Sequence, residues 1–269
     1  MNASRRRLDR ELVRRGLARS REHAVELVAT GRVIVAGRTA EKAATQIELA
    51  APIVVADVTD GPAYASRGAH KLLGALEAFL PAGLVVQGRR CLDAGASTGG
   101  FTDVLLRAGA DRVIAVDVGY GQLAWSLRTD DRVIVHDRCN VRELTAATIG
   151  GPVDLVVGDL SFISLTLVLP ALVGLTRPDG DLVLMVKPQF EVGRERLGRG
   201  GVVRDPATRA EVVLAVARAA DRLGRGTCGV HASPRPGPAG NVEYFLWLRA
   251  GAPAPDPAAI EAAVAAGPR

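Results

Sequence analysis

The sequence predicts an α/β fold: a mostly parallel sheet with helices on both faces and an antiparallel last strand, preceded by a small α+β domain. Three observations carry this. From Cys91 onward, short apolar runs that end in a polar residue alternate with helical segments, the pattern of a parallel sheet. The last two apolar runs are joined only by a Pro/Gly-rich stretch, which makes a hairpin and reverses the final strand. The first part of the chain departs from both patterns, with two short helical segments, a few short strands and an excess of arginine.

A chain of 269 residues suits one substantial domain plus a small one, and 48% hydrophobic residues are ample for a core. Leu8, Leu12, Val13 and Leu17 recur at helical spacing with arginines on the opposite face, and Gly16 ends that helix. Ser20 is placed to cap a second helix, Arg21 to Ala29, which Gly31 stops. Val33 to Val35 and Ile53 to Val55 read as strands, with a turn at Ala36-Gly37. This domain spans 1–60. Asp60-Gly61-Pro62 breaks the chain, 61–65 is a linker, and the main domain occupies 66–250.

Within the main domain, a helix carries Leu72, Leu73, Leu76 and Phe79 toward a core. Candidate strands follow at Arg90 to Asp93, Val113 to Asp117, Val133 to His136, Val153 to Asp159 and Leu182 to Lys187. Helices are expected at Thr102 to Arg107, Leu165 to Leu175 and Ala207 to Leu223, and the hairpin at Thr227 to His231 and Val242 to Arg249. The Ala/Pro-rich residues 251–269 read as a flexible tail.

Composition excludes several classes. Cys91, Cys139 and Cys228 lack disulfide or metal spacing, which points to a reducing, cytoplasmic setting and no metal site. No apolar stretch follows the basic start, so no signal peptide is read there. The longest apolar run, Leu165 to Leu175, is too short to span a bilayer, and no stable membrane association is expected. Nothing in the pattern speaks to oligomeric state. Residues 1 to 21 hold eight arginines against Asp9 and Glu11, an excess larger than the +5 of the whole chain. A basic excess confined to one end predicts an anionic partner, nucleic acid first. Its candidate contacts are Arg5, Arg6, Arg7, Arg10, Arg14, Arg15, Arg19 and Arg21, since guanidinium forks bind phosphate at two points. Arg67 and the stretch Gly193 to Arg204, with Arg194, Arg196 and Arg199, extend the set as a mobile basic loop near the active face.

The chemistry gathers around Cys91-Leu-Asp-Ala-Gly-Ala-Ser-Thr-Gly-Gly-Phe101, a strand, an acid and a glycine loop opening a helix. The dinucleotide fingerprint is G-x-G-x-x-G; here an acid, Asp93, precedes Gly95, Ser97, Thr98, Gly99, Gly100 and Phe101. Such an acid repels a pyrophosphate and receives an ammonium, so the spacing favours S-adenosylmethionine over NAD. Asp117, with Val118 beside it, ends the next strand 24 residues after Asp93, where a carboxylate accepts ribose hydroxyls. Asp137 ends the strand after that and is placed for the adenine amino group. Asp159 and Lys187 end later strands, and ligands bind outside the carboxyl ends of strands in open α/β sheets.

Several resemblances follow. Arg7-Leu-Asp-Arg-Glu-Leu-Val-Arg-Arg-Gly-Leu-Ala-Arg-Ser-Arg21 and Gly31-Arg-Val-Ile-Val-Ala-Gly37 resemble the RNA-binding module named for small-subunit ribosomal protein S-four. The strand–helix alternation ending in a hairpin resembles Rossmann-like S-adenosylmethionine-dependent methyltransferases. Lys71, Asp159, Lys187 and Glu243 resemble the Lys-Asp-Lys-Glu tetrad of FtsJ-like RNA 2′-O-methyltransferases. Their flanks, Ser-Arg-Gly-Ala-His-Lys71, Gly-Asp159-Leu-Ser-Phe-Ile-Ser, Lys187-Pro-Gln-Phe-Glu-Val-Gly and Gly-Asn-Val-Glu243-Tyr-Phe, are similar to the TlyA family. This resemblance implies S-adenosylmethionine as cofactor, ribosomal RNA or ribosomal subunits as partner, and methylation of a ribose, on cytidine.

Lys187 is then the expected base. Burial and a second cation, Lys71, favour its neutral form; Asp159 opposes it and orients the amine; Lys71 and Glu243 position the ribose. Two other readings are a base amino-methyltransferase, from the acid-x-x-aromatic echo in Asp159-Leu-Ser-Phe162, and a membrane-lytic, hemolysin-like protein. The first leaves both lysines unexplained, and the second finds no spanning helix or barrel pattern.

Overall fold

The computed structural model describes residues 5–29, 32–55, 64–198, 200–237 and 239–268. Gly31, the linker residues 61–63, Arg199 and the side chain of Arg194 lie outside the described residues. The chain divides into two compact units, 1–63 and 64–269.

In the first unit β1 (Arg5–Arg7) leads into α1 (Leu8–Arg14) and α2 (Arg21–Ala29). The strands β2 (Val33–Val35), β3 (Arg38–Thr39), β4 (Gln46–Glu48) and β5 (Ile53–Val55) follow. Leu8, Leu12, Leu27, Val28 and Val33 close its core. β2 pairs antiparallel with β3 and β5, and β1 with β4. The strand at Arg5–Arg7 was invisible in the sequence, because three arginines have no strand signature. Pairing with β4, some forty positions away in the chain, extends them.

The second unit runs α3 (Ala69–Phe79), β6 (Arg90–Ala94), α4 (Gly100–Arg107), β7 (Arg112–Val116), α5 (Trp125–Arg128) and β8 (Val133–His136). Then come β9 (Val153–Gly158), α6 (Leu165–Leu175), β10 (Thr176–Val186), α7 (Pro188–Glu191) and α8 (Pro206–Asp221). It ends with β11 (Gly226–Ala232), β12 (Tyr244–Arg249) and α9 (Pro257–Ala266). The seven-stranded sheet has the order β11-β12-β10-β9-β6-β7-β8. Strands β8, β7, β6, β9 and β10 are parallel, and β12 is antiparallel to both neighbours.

Both faces of this sheet are buried. Along β10, Leu182, Leu184 and Val186 join one apolar cluster with α6, α8 and α9, while Val183 and Met185 join another with α3 and α4. Period-two alternation divides one strand between two cores. The chain winds outward from β6 through β7 to β8, then crosses back to lay β9 on the other side of β6. Such a switch opens a crevice at the carboxyl ends of β6 and β9.

The flexible tail is corrected by the structure. Asp256 caps α9, accepting from Ala258 N at 2.9 Å, and Pro257 takes the first helical position. Ile260 and Val264, one turn apart, are buried in the main core. The Ala-rich composition hid an N-terminal helix signal and a two-residue apolar face.

Candidate active site

At the β6/β9 crevice lies a cavity of about 460 Å³, lined among others by Gly95, Ser97, Asp117, Val118, Asp159 and Phe162. Gly95 turns with φ 87°, and a Cβ there would stand 3.0 Å from the Asp159 carbonyl oxygen, so only glycine closes this wall. Asp117 is aimed by two backbone amides: Ser97 N donates to it at 2.8 Å and Gly119 N at 2.7 Å.

Asp93 is fully buried. Its Oδ2 accepts from Thr102 Oγ1 at 2.7 Å, and its Oδ1 has no hydrogen-bond partner. Burial pushes this carboxyl up to about 7, with the charges of Asp159 and Asp117 adding and the Thr102 bond opposing. Asp93 lies behind the cavity wall rather than on it, and its orphaned buried carboxylate oxygen, two residues before Gly95, suits an incoming cation. With the apolar Leu160, Ile163 and Val168 and the carboxylate of Asp117 on the cavity wall, the donor set fits the nucleoside and ammonium of S-adenosylmethionine.

Other loop residues serve packing. A Cβ on Gly100 would reach within 2.8 Å of Ala69 N, so this glycine lets α4 lie against the start of α3. Phe101 is buried against Phe245, ring centroids 6.0 Å apart, and the Thr98 carbonyl accepts from Ala124 N. A Cβ on Gly99 would collide with Leu127 and Leu123. Asp137 is not on the cavity wall: it pairs with Arg128 at 2.9 Å. Arg138 takes a left-handed turn (φ 54°), and Cys139 N then bonds the Asp117 carbonyl. The chain after β8 therefore offers Cys139, Asn140 and Val141 to the cavity instead.

The four tetrad positions form two ion pairs. Lys187 leaves the end of β10 with 7% of its surface exposed; its Nζ lies 2.6 Å from Asp159 Oδ1 and donates to Ser161 Oγ at 2.8 Å. Lys71, on α3, meets Glu243 Oε2 at 2.5 Å, and the Glu243 residue is 1% exposed. The pairs are linked through β10 and α7: Lys71 Nζ touches Met185 Sδ at 3.9 Å, and Gln189 Nε2 donates to Glu243 Oε1 at 3.4 Å. Glu191 accepts from Leu165 N at 2.7 Å and Ser164 Oγ at 2.5 Å, tying α7 to the start of α6.

Phe162, 91% exposed with φ 66°, faces Phe190 at 5.3 Å between centroids. Sequence reasoning missed Ser161, Gln189 and Asn140 as site residues and read Phe162 only in the base-methylation alternative. Ser161 and Gln189 each stand two positions from a tetrad member, which was their signal; Asn140 had none.

The arginines fall into groups. Asp9, 1% exposed, holds Arg7 at 2.8 Å and Arg21 at 3.0 Å. Glu11, fully buried, holds Arg14 at 2.5 Å, Arg15 at 2.8 Å and Arg6 at 3.4 Å. Arg15 also donates to the carbonyls of Leu49 and Ala51, so it closes the unit's own fold. Arg5 lies 3.9 Å from Glu48, while Arg10 and Arg19 are exposed with no acid at ion-pair distance among the described residues.

The stretch expected as a mobile loop is anchored. Arg196 makes a bidentate pair with Glu211 at 2.7 and 2.6 Å. Asn241 bridges Val203 N and Gly201 O, and Val192 and Val203 pack with Val212. These partners lie far along the chain, out of reach of a local reading. No helix among the described residues is long and apolar enough to cross a membrane.

Comparison with known proteins places this geometry. The model of the FtsJ-like methyltransferases matches residues 64–250, and that of the S4 domain matches residues 6–51. The 16S/23S rRNA (cytidine-2′-O)-methyltransferase TlyA of Mycobacterium tuberculosis is 63% identical over 248 residues, 92% of this chain and 91% of that protein. The 23S rRNA (cytidine-2′-O)-methyltransferase TlyA of Campylobacter jejuni is 35% identical over 185 residues, 68% of this chain and 70% of that protein. A solved structure of a hemolysin-named protein from Streptococcus thermophilus superposes with a TM-score of 0.75 at 37% identity, covering 98% of this chain and 95% of that one. The chain belongs to the FtsJ-like methyltransferases, in the TlyA family that joins such a domain to an S4 domain.

Proposed function

We propose that the protein methylates the 2′-hydroxyl of a cytidine ribose in ribosomal RNA, with Lys187 as the base. The observation that carries this reading is the Lys187 amine, buried and held by Asp159 and Ser161, with Asp159 also lining the cofactor cavity. S-adenosylmethionine supplies an electrophilic methyl group. Asp93, Asp117 and the Gly95 turn would hold it.

A ribose hydroxyl is a poor nucleophile until its proton leaves. The neutral form of Lys187 takes that proton on Nζ, and Asp159 holds the resulting ammonium. Lys71 and Glu243 orient the ribose, because alignment of a bound hydroxyl removes most of the entropic barrier. Phe162 offers a face on which an unpaired base can stack. The relatives that methylate ribosomal RNA and the arginines of the first unit support the RNA substrate. The reaction then belongs in the cytoplasm, with ribosomal RNA.

The test is incubation of ribosomal RNA with protein and labelled cofactor, followed by nuclease digestion to nucleosides. Label on ribose is the expected result. Label retained on the free base would favour a base amino-methyltransferase, and no label at all would remove the enzyme reading.

A further inference from the structure

A second cavity, of about 530 Å³, shares no lining residue with the first and is walled by Ser66, Arg67, Lys71, Arg235 and Gly237 among others. Among the described residues its wall carries three cationic side chains and no carboxylate. Lys71 is neutralised by Glu243, and Arg235 adds a further positive charge to the cavity beside Arg67. Arg235 is exposed and has no acid at ion-pair distance among the described residues.

The segment that carries Arg235 is built as a rigid arm. Ser233 is fully buried; its N–H donates to the Glu243 carbonyl at 2.8 Å, and its hydroxyl donates to the Arg235 carbonyl at 2.8 Å. Pro234 lies so close to Gly74 of α3 that a Cβ there would stand 2.7 Å from its ring. Gly237 N bonds the Asn241 carbonyl at 2.8 Å, and a Cβ on Gly237 would come within 2.6 Å of Glu243 Oε1. The arm is thus fastened to α3, which bears Lys71, and to Glu243 itself. The backbone of an ordinary hairpin loop would be free to swing; this one is fastened beside two members of the tetrad, so the base of the Arg235 side chain is held there.

We infer that this cavity takes a phosphodiester of the substrate strand flanking the target ribose, gripped by Arg235 on the wall that also carries Arg67. The inference rests on the ribose-methylation reading, since a strand that offers its 2′-hydroxyl at Lys187 must pass its charged backbone close by. Guanidinium forks suit phosphate oxygens, and backbone contacts fix register without reading sequence.

The test uses the full chain. Initial rates of methyl transfer are measured against ribosomal RNA concentration at several salt concentrations for wild type, Arg235→Ala and Arg235→Lys. Cofactor affinity is measured separately by calorimetry. For Arg235→Ala the KM for RNA is expected to rise roughly tenfold, the scale of one charge-assisted contact, with kcat nearly unchanged. The slope of log KM against log salt should fall by about 0.7, the single-strand share of one phosphate contact. Arg235→Lys should keep that slope while losing part of the affinity.

Unchanged KM and salt slope in Arg235→Ala, with wild type fully active, would overturn the phosphate site and leave the function standing. Weakened cofactor binding with unchanged RNA KM would also overturn it, assigning the cavity to the cofactor's carboxylate. Failure of the wild type to methylate ribose would instead remove the function on which the site rests.

Discussion

Three carboxyl groups are almost sealed from solvent and behave in opposite ways: Asp9 and Glu11 are covered by their own partly exposed arginines, whereas Asp93 lies inside the sheet. In the first unit Asp9 and Glu11 are held well down, Asp9 chiefly by its hydrogen bond from Arg7, and Glu11, at about 2, by those from Arg14 and Arg15. In the second unit Asp93 is pushed up to about 7, because burial meets only a threonine hydroxyl and the charges of two further carboxylates. Lack of exposed surface alone therefore decides nothing; what covers the carboxyl decides it. A buried acid with guanidinium partners organises a cationic surface, while one without a cation is an unfilled site. The two lysine pairs of the tetrad lie between these cases, each with one acid per cation.

The comparison is sharpened most by removing the lysine that does the chemistry, whose ammonium Asp159 holds once it has taken the proton. Lys187→Ala should lower kcat by about 10²- to 10⁴-fold, the usual worth of a positioned base, with cofactor affinity by calorimetry nearly unchanged. Normal turnover would sink Lys187 as base.

Next in size is Asp93. Its folded value stands above the ordinary carboxylate value, so the fold binds a proton there that the unfolded chain has released. Its contribution to stability of the cofactor-free protein therefore declines as pH rises from the ordinary carboxylate range to about 7. A bound ammonium reverses the preference. Cofactor affinity should rise up to tenfold per pH unit as pH approaches about 7 from below and level off above it. Asp93→Asn should bind weakly with a flat profile; a wild-type profile that is already flat would break the contrast with Asp9 and Glu11.

The opposite sign belongs to Glu11. Its contribution to stability is complete above the ordinary carboxylate range and is lost as pH falls toward about 2. Glu11→Gln makes the unit more positive, so a purely electrostatic surface would bind RNA more tightly. If Glu11 instead fixes the fan of Arg6, Arg14 and Arg15, affinity should fall roughly threefold to tenfold, with a thermal melt to confirm that the unit still folds. Tighter binding would refute the organising role. The smallest effect is expected at Phe162→Ala, a loss of roughly fivefold to tenfold in kcat/KM for RNA from one lost stacking face. Equal kcat/KM would show that Phe162 is only a surface turn.

Much of this was legible in the chain itself. The strand-end acids and lysine could be read because β-strands run straight, so a polar residue closing an apolar run must emerge at the sheet's edge. Gly95 could be read as a close approach, although Gly99, Gly100 and Phe101 in the same loop turned out to pack α4 against its neighbours. Asp137 could not be placed, because one left-handed residue, Arg138, turns the chain after its strand. Arg15 looked like every other arginine until the carbonyls of Leu49 and Ala51 closed on it.

By itself, then, the order of residues determined the layers, the parallel sheet with its reversed strand, and the cofactor loop, because periodicity and glycine punctuation are local properties of the backbone. Only tertiary structure decided which charges face each other. Lys71 and Glu243 are 172 positions apart and Lys187 and Asp159 nearly thirty, and their 2.5 and 2.6 Å contacts exist only because the fold brings α3 and distant strand ends together at one edge of the sheet. A charge's behaviour depends on its neighbours and on the water removed around it, and both are set by the fold.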